Sequence, residues 1–192
     1  MSIFLLIIGL ILAQGKGFVV VPENLQPYWQ AYVKTYGRPT GLQAKEEILK
    51  NYLGDYLILK RAKELKVEKS RMFISEWRVA RKEVARRCAQ EKVREKRCRK
   101  ILASVRKLLL IAMVVKQKIL PKIHVSEEEV RKMLQAHKGE KRGLSRQGIV
   151  RFLEAREQSK GLHAYIDKLM KRYHVTINQS NLKNLDLGVP PS

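Results

Sequence analysis

A long helical pattern between about residues 42 and 66 places the strongest constraint on the fold. Its apolar residues recur at helical spacing and spread over more than one face: Ile48, Leu49, Tyr52, Leu53, Tyr56, Leu57, Leu59, Ala62 and Leu65. A helix at the surface of a domain needs only one apolar stripe, so a helix of this kind must be packed on several sides. The pattern therefore predicts a mainly α domain built around this segment.

Helical patterns on both sides of this segment extend the prediction. An aromatic helix is predicted after Asn24, and further helices begin near Ser70, at about residue 101, after Ser126 and at about residue 145. Ser126 and Glu129 have the spacing of a capping box, in which each side chain satisfies the other residue's backbone amide. Two short β-branched runs, residues 17–21 and 174–178, are strand candidates.

The N-terminus predicts export. A continuous apolar run over residues 3–12 is followed by Ala13 and Gly15, which are small side chains of the kind that a signal peptidase accepts. We therefore predict a signal peptide over residues 1–15, a core domain over residues 16–178 and a polar tail over residues 179–192, in a periplasmic or otherwise exported protein. The run is shorter than the roughly 20 residues of a membrane span. An uncleaved anchor and a buried N-terminal helix are the alternatives.

The net charge points to an anionic partner without identifying it. The chain contains forty Lys and Arg but only eighteen Asp and Glu, which gives a formal charge of +22. Such a field attracts nucleic acid, an anionic membrane surface or acidic polypeptide. Residues 78–100 are the most basic segment, and they supply the candidate anion contacts Arg78, Arg81, Lys82, Arg86, Arg87, Arg94 and Arg97.

The same basic segment has a simpler interpretation, as an exposed helix or a flexible connection whose glutamates pair with neighbouring cations. It contains no aromatic residue on which a base could stack. Zinc-finger spacing and other nucleic-acid motifs are also missing from the sequence, so no specific nucleic-acid partner is expected.

The cysteines, the histidines and the known catalytic motifs predict no enzyme. Cys88 and Cys98 could form a disulfide in an exported protein, but on one straight helix they would be about 15 Å apart, so a bridge requires a turn. The four histidines are scattered, and we predict neither a metal nor a cofactor. No phosphate-binding loop, dinucleotide fingerprint or nucleophile elbow occurs, and no catalytic residue is predicted.

Three segments, in this order, carry a family resemblance: "EEILKNYLGDYLILKRAKELKV", "KIHVSEEEVRKMLQAHK" and "AYIDKLMKRYHVTIN". The chain resembles the SurA/PpiC-type periplasmic chaperones. That resemblance implies a helical chaperone core in which the C-terminal helix packs among the N-terminal helices, with residues 174–178 paired beside residues 17–21. The pairing is also expected on physical grounds, because a lone short strand leaves its backbone groups without partners.

In that family the segment after the "VSEEEV" helix leads into a parvulin-type prolyl isomerase domain of roughly a hundred residues. Here only "GEKRG" joins Lys138 to Leu144. The catalytic domain is therefore missing, and the resemblance implies a chaperone core without isomerase activity.

The function implied is an ATP-independent holdase for unfolded polypeptides, such as envelope or outer-membrane proteins. The candidate client contacts are Trp29, Tyr32, Tyr36, Met72, Phe73 and Trp77, in patterns that are also typical of an ordinary core. Two alternatives are an exported module that binds polyanions or an anionic membrane surface, and an envelope assembly role in which residues 101–120 pair with a partner. The sequence leaves open whether two chains associate.

Overall fold

The computed structural model describes residues 11–39, 41–136 and 145–188, and within them the chain is mainly α-helical, as predicted. The helices are α1 (Pro22–Tyr36), α2 (Leu42–Glu64), α3 (Arg71–Gln90), α4 (Glu95–Lys118), α5 (Glu127–Ala136), α6 (Arg146–Arg172) and α7 (Gln179–Asn184). The strands are β1 (Ala13–Gly15), β2 (Phe18–Val20) and β3 (Thr176–Ile177), and 3₁₀ turns lie at Val67–Lys69 and Leu120–Lys122.

The chain divides into two compact units. The first contains the described parts of residues 1–57 and 168–192, and the second contains those of residues 58–167. Both boundaries fall inside helices, because α2 and α6 each begin in one unit and end in the other.

β1 is the central strand of the sheet in the first unit. It pairs antiparallel with β2 on one side and with β3 on the other, so that Ala13 lies opposite both Val20 and Ile177. The predicted pairing of N-terminal and C-terminal strands is therefore confirmed. Its predicted partner is wrong, because residues 174–178 pair with β1 and not with the 17–21 segment. The β1–β2 hairpin occupies one edge of β1 and leaves the other edge for β3.

The small residues that suggest a cleavage site have a structural role in this strand. Leu12 and Ala13 are 1% exposed and belong to the core of the first unit. A Cβ on Gly15 would lie 2.5 Å from the ring of Phe18 and 2.8 Å from the carbonyl oxygen of Tyr173, so only glycine fits there. Export stays a prediction. Cleavage after Gly15, however, would remove the strand to which both β2 and β3 bind.

The structure corrects the predicted polar tail. The segment after β3 forms α7, whose first turn is capped by Asn178: its side-chain oxygen accepts a hydrogen bond of 3.0 Å from the backbone amide of Asn181. Leu182 and Leu185 are buried in the core of the first unit. The sequence predicted a polar tail because the leucines of this segment are separated by polar residues, which face solvent. Residues 189–192 lie outside the described part.

α1 also begins earlier than the sequence predicts. Pro22 is its first residue, a position that tolerates proline because the amide there needs no helical partner. Asn24 therefore lies in the first turn of the helix and not before it. Its side chain instead accepts a hydrogen bond of 3.0 Å from the backbone amide of Val21, which closes the first turn.

The predicted capping box is confirmed in the second unit. Ser126 Oγ accepts from the Glu129 amide at 3.2 Å, and Glu129 Oε2 accepts from the Ser126 amide at 3.1 Å. The Ser126 hydroxyl also donates to Glu129 Oε2 at 3.0 Å, and the hydrogen bonds from the amide and the hydroxyl of Ser126 lower the pKa of the Glu129 carboxyl. A small core of Val130, Ile149 and Leu153 packs α5 against α6. Residues 137–144, the predicted joint that replaces an isomerase domain, lie outside the described residues.

The basic segment forms a helical hairpin, and its turn brings the two cysteines close enough to form a disulfide. α3 and α4 are joined by a turn over residues 91–94, and a disulfide links Cys88 to Cys98 with their Cα atoms 6.0 Å apart. Leu110, Met113 and Val114 of α4 are buried, whereas Leu108 is exposed. Among the described residues, no helix is long and apolar enough to cross a membrane.

We predict that a chain beginning at Lys16 is much less stable than one beginning at Ile11. Loss of the central strand exposes the apolar surface that Leu12 and Ala13 cover, and it removes the ladder hydrogen bonds to β2 and β3. We expect the free energy of unfolding to fall by at least about 3 kcal/mol. Urea titrations followed by circular dichroism measure it, and equal midpoints for the two chains would contradict the role assigned to β1.

Candidate functional site

Two of the predicted client contacts are core residues. Trp29 is 1% exposed, and its Nε1 donates a hydrogen bond of 2.8 Å to the backbone oxygen of Gly188. Phe73 is 2% exposed, in the first turn of α3. Neither side chain could reach a client without unfolding of its surroundings, so the structure corrects both assignments: these residues stabilise the fold.

The other four predicted contacts reach the surface to different extents. Tyr36 is 73% exposed, whereas Tyr32 is half-buried with its ring 5.0 Å from that of Tyr36. Met72 is exposed and Trp77 is half-buried. The two tyrosines belong to the first compact unit, and Met72 and Trp77 belong to the second. The predicted set is therefore split between the units.

One face of α3 brings predicted contacts of both kinds together. A groove of about 420 Å³, here called the α3 groove, is lined by Ile74, Trp77, Arg78, Arg81, Lys82 and Ala85. These positions are spaced by three and four residues, which places them on one side of a helix. An apolar strip along this groove is therefore flanked by three cations. Ile74, which the sequence did not single out, is exposed at its end.

A second groove lies where α2, the following 3₁₀ turn and α4 meet. This α2–α4 groove has a volume of about 520 Å³ and is lined by Leu59, Ala62, Lys63, Lys66, Glu68, Lys69, Ala103, Arg106, Lys107 and Leu110. The apolar side chains come from two helices that are about forty residues apart in the chain. Sequence periodicity describes one helix at a time, so it could not reveal this groove.

The cations of the α2–α4 groove are available to a ligand. Arg106 pairs with Glu68 at 2.8 Å, which occupies the one carboxylate among the lining residues. Four lysines remain without an ion pair among the described residues: Lys63, Lys66, Lys69 and Lys107. A ligand with apolar groups and nearby carboxylates would satisfy both parts of the groove, because apolar burial and charge pairing are then gained together.

The remaining predicted anion contacts lie further along the hairpin. Arg86 and Arg87 both bind Glu83, at 2.8 and 2.7 Å, and these hydrogen bonds lower the pKa of the Glu83 carboxyl to about 2. The two arginines are therefore partly neutralised. Arg94 and Arg97, by contrast, are exposed at the turn and make no ion pair within the described chain.

The apolar and cationic side chains of the grooves suit ligand binding. Comparison with known proteins identifies no family for the chain. No group of three or more His, Cys, Asp or Glu side chains that could hold a metal ion occurs in residues 11–39, 41–136 and 145–188. No protein-family model matches the chain, and no curated protein matches its sequence. The grooves and the basic hairpin are therefore the features from which a function is argued.

We predict that the positive charge of the α3 groove changes how strongly ions quench the fluorescence of Trp77. The chain has two tryptophans, so Trp29→Phe leaves Trp77 as the only one. The ratio of iodide to caesium quenching should be higher for Trp77 than for free N-acetyltryptophanamide, because Arg78, Arg81 and Lys82 concentrate anions there, and added salt should reduce the difference.

The matched control is Trp77→Phe, which leaves the buried Trp29. Its quenching by either ion should be weak. A ratio for Trp77 at low salt no higher than that of N-acetyltryptophanamide would show that the groove is not electropositive.

Proposed function

We propose that this chain is an exported, ATP-independent holdase that binds unfolded polypeptides, a SurA/PpiC-type chaperone core without an isomerase domain. The observation that carries the proposal is a pair of grooves in the second unit, each with an apolar strip flanked by cations. Their volumes fall within the range typical of ligand-binding clefts, roughly 300–1,000 Å³.

An unfolded polypeptide presents the chemistry that these grooves complement. Its apolar side chains are exposed and gain free energy on burial, by about 25 cal/mol per Å². Both grooves are lined in part by apolar side chains, such as Leu59 and Ile74. Because burial of apolar surface is not directional, the same groove accepts many sequences.

The cationic rims favour clients with carboxylates near their apolar residues. In an outer-membrane strand, apolar and polar residues alternate, so one side of the extended segment is apolar. With that side on the groove floor, carboxylates among the polar residues come near Lys63, Lys66 and Lys107. This geometry supports unfolded outer-membrane proteins as the client class.

One feature supports an exported site of action, and another agrees with ATP independence. The disulfide between Cys88 and Cys98 is typical of proteins in oxidising compartments. The sequence also lacks a phosphate-binding loop for ATP. A holdase that works by reversible apolar burial requires no nucleotide, which agrees with the missing phosphate-binding loop.

We predict that one carboxylate placed in each groove strongly weakens protection of a client. Ala103→Glu and Ile74→Glu alter exposed residues, so the fold should persist, but each puts a charge where apolar client groups would be buried. The assay follows aggregation of an unfolded outer-membrane protein without nucleotide at physiological salt. Protection should fall at least about tenfold in effective concentration for the double variant, an interaction loss of about 1.4 kcal/mol or more.

Ser104→Glu with Ser75→Glu is the matched control. Both serines are exposed neighbours of the altered residues and line neither groove, and the change in net charge is the same. The control should protect as the unaltered chain does. Equal protection by both double variants, or protection that vanishes at physiological salt, would contradict the proposal.

A further inference from the structure

The turn between α3 and α4 has a defined backbone. Lys92 adopts the left-handed conformation with φ 50°, its amide donates to the oxygen of Ala89, and the amide of Val93 donates to the oxygen of Cys88 at 2.9 Å. This pair of hydrogen bonds is the Schellman arrangement that ends many helices. Together with the Cys88–Cys98 disulfide, it fixes the end of the hairpin, residues 91–100, here called the hairpin tip.

The hairpin tip is strongly basic, and most of its charge is not neutralised. Its ten residues contain six cations and two carboxylates. Arg99 pairs with Glu95 at 3.5 Å, while five exposed cations make no ion pair among the described residues: Lys92, Arg94, Lys96, Arg97 and Lys100. The tip is therefore a concentrated positive surface.

This charge is unfavourable for the isolated chain. The cations repel one another, and Lys96 and Arg97 lie in the first turn of α4, where the helix dipole favours acidic residues. Lys92 occupies a left-handed position at which glycine is preferred. Few contacts within the chain offset these costs, whereas an anionic partner would offset the electrostatic ones.

We propose that the hairpin tip docks onto the surface of an anionic lipid membrane, with its exposed cations close to the lipid phosphates. The cations are spread around the helix: Lys96 and Lys100 are one turn apart, and Arg97 is rotated by about 100° from Lys96. A spread of this kind matches an extended array of phosphates, and each Lys or Arg near such a surface adds to binding. Ile101, exposed in the next turn, can make a shallow apolar contact.

Nucleic acid fits the same surface less well. Residues 78–107 contain no aromatic side chain on which bases could stack. The disulfide at the tip indicates an oxidising compartment, in which lipid headgroups are the abundant polyanion. Membrane docking is separate from client binding, because neither groove includes a residue of the hairpin tip.

The test compares charge variants of the full chain on vesicles. The oxidised protein is sedimented with vesicles of phosphatidylcholine that contain phosphatidylglycerol, at physiological salt. Arg94→Gln, Lys96→Gln and Arg97→Gln together should weaken partition about a hundredfold, as expected for three surface cations. The apolar residues 3–12 are present in all variants.

Two further variants make the test decisive. Arg151→Gln, Lys168→Gln and Lys183→Gln remove the same charge from exposed positions outside the tip and should reduce partition less than threefold. Lys92→Gly with Lys100→Gln removes two tip cations. Because glycine adopts the left-handed conformation without strain, the first change should not destabilise the turn, and a loss of binding could not be attributed to unfolding. We expect about a thirtyfold loss for this pair.

Three outcomes would overturn the proposal. The first is equal partition of the unaltered chain and the tip variants. The second is tighter binding of a mixed-sequence DNA duplex than of vesicles at the same salt, which would assign the surface to nucleic acid. The third is complete competition by millimolar inorganic phosphate at constant ionic strength, which would indicate a site for free phosphate.

Discussion

The antiparallel pairing of β1 with a strand on each side is the interaction on which the first unit depends. It joins residues near the start of the chain to residues near its end, since Asn178 donates to the oxygen of Leu12 at 2.9 Å and Lys16 donates to that of Tyr173 at 2.7 Å. Two short strands with few residues each would be marginal alone, and the central strand gives both a partner. The chain passes from the first unit to the second within α2 and returns within α6, and the C-terminal part of α2 lines the α2–α4 groove.

Local sequence signals predicted local structure well. The helical class, the α2 pattern and the Ser126–Glu129 capping box all depend on residues within a few turns of one another, and the structure confirms them. Some sequence signals admit two explanations. Ala13 and Gly15 satisfy a peptidase pattern and also the close packing around Phe18, and the sequence alone does not distinguish these causes.

Exposure was the property that the sequence predicted least well. Trp29 and Tyr36 belong to one aromatic pattern in α1, yet Trp29 is buried and Tyr36 is open to solvent. Helical spacing tells which residues share a face, but it does not tell which face is covered by another element. For the same reason Leu182 was assigned to a polar tail, and the α2–α4 groove, which requires two distant helices, was missed.

The second unit carries two kinds of cationic surface along one hairpin. Near its base, cations flank apolar grooves, and apolar burial can supply most of the binding free energy. At its tip, cations stand together without an apolar floor, and attraction there must weaken steeply as salt increases. Arg86 and Arg87 lie between the two regions, and their ion pairs with Glu83 reduce the net charge of that stretch. A client and a membrane surface could therefore be bound by different parts of the same element.

Hydrogen–deuterium exchange with and without an unfolded outer-membrane protein, at physiological salt, tests the central claim most directly. Slower exchange on client binding is expected at residues 59–69, 74–85 and 103–110, which line the two grooves, with little change in α1 and in the hairpin tip. Protection confined to residues 91–100 and lost as salt is raised would contradict the account. So would protection around Tyr32 and Tyr36 with none at the grooves.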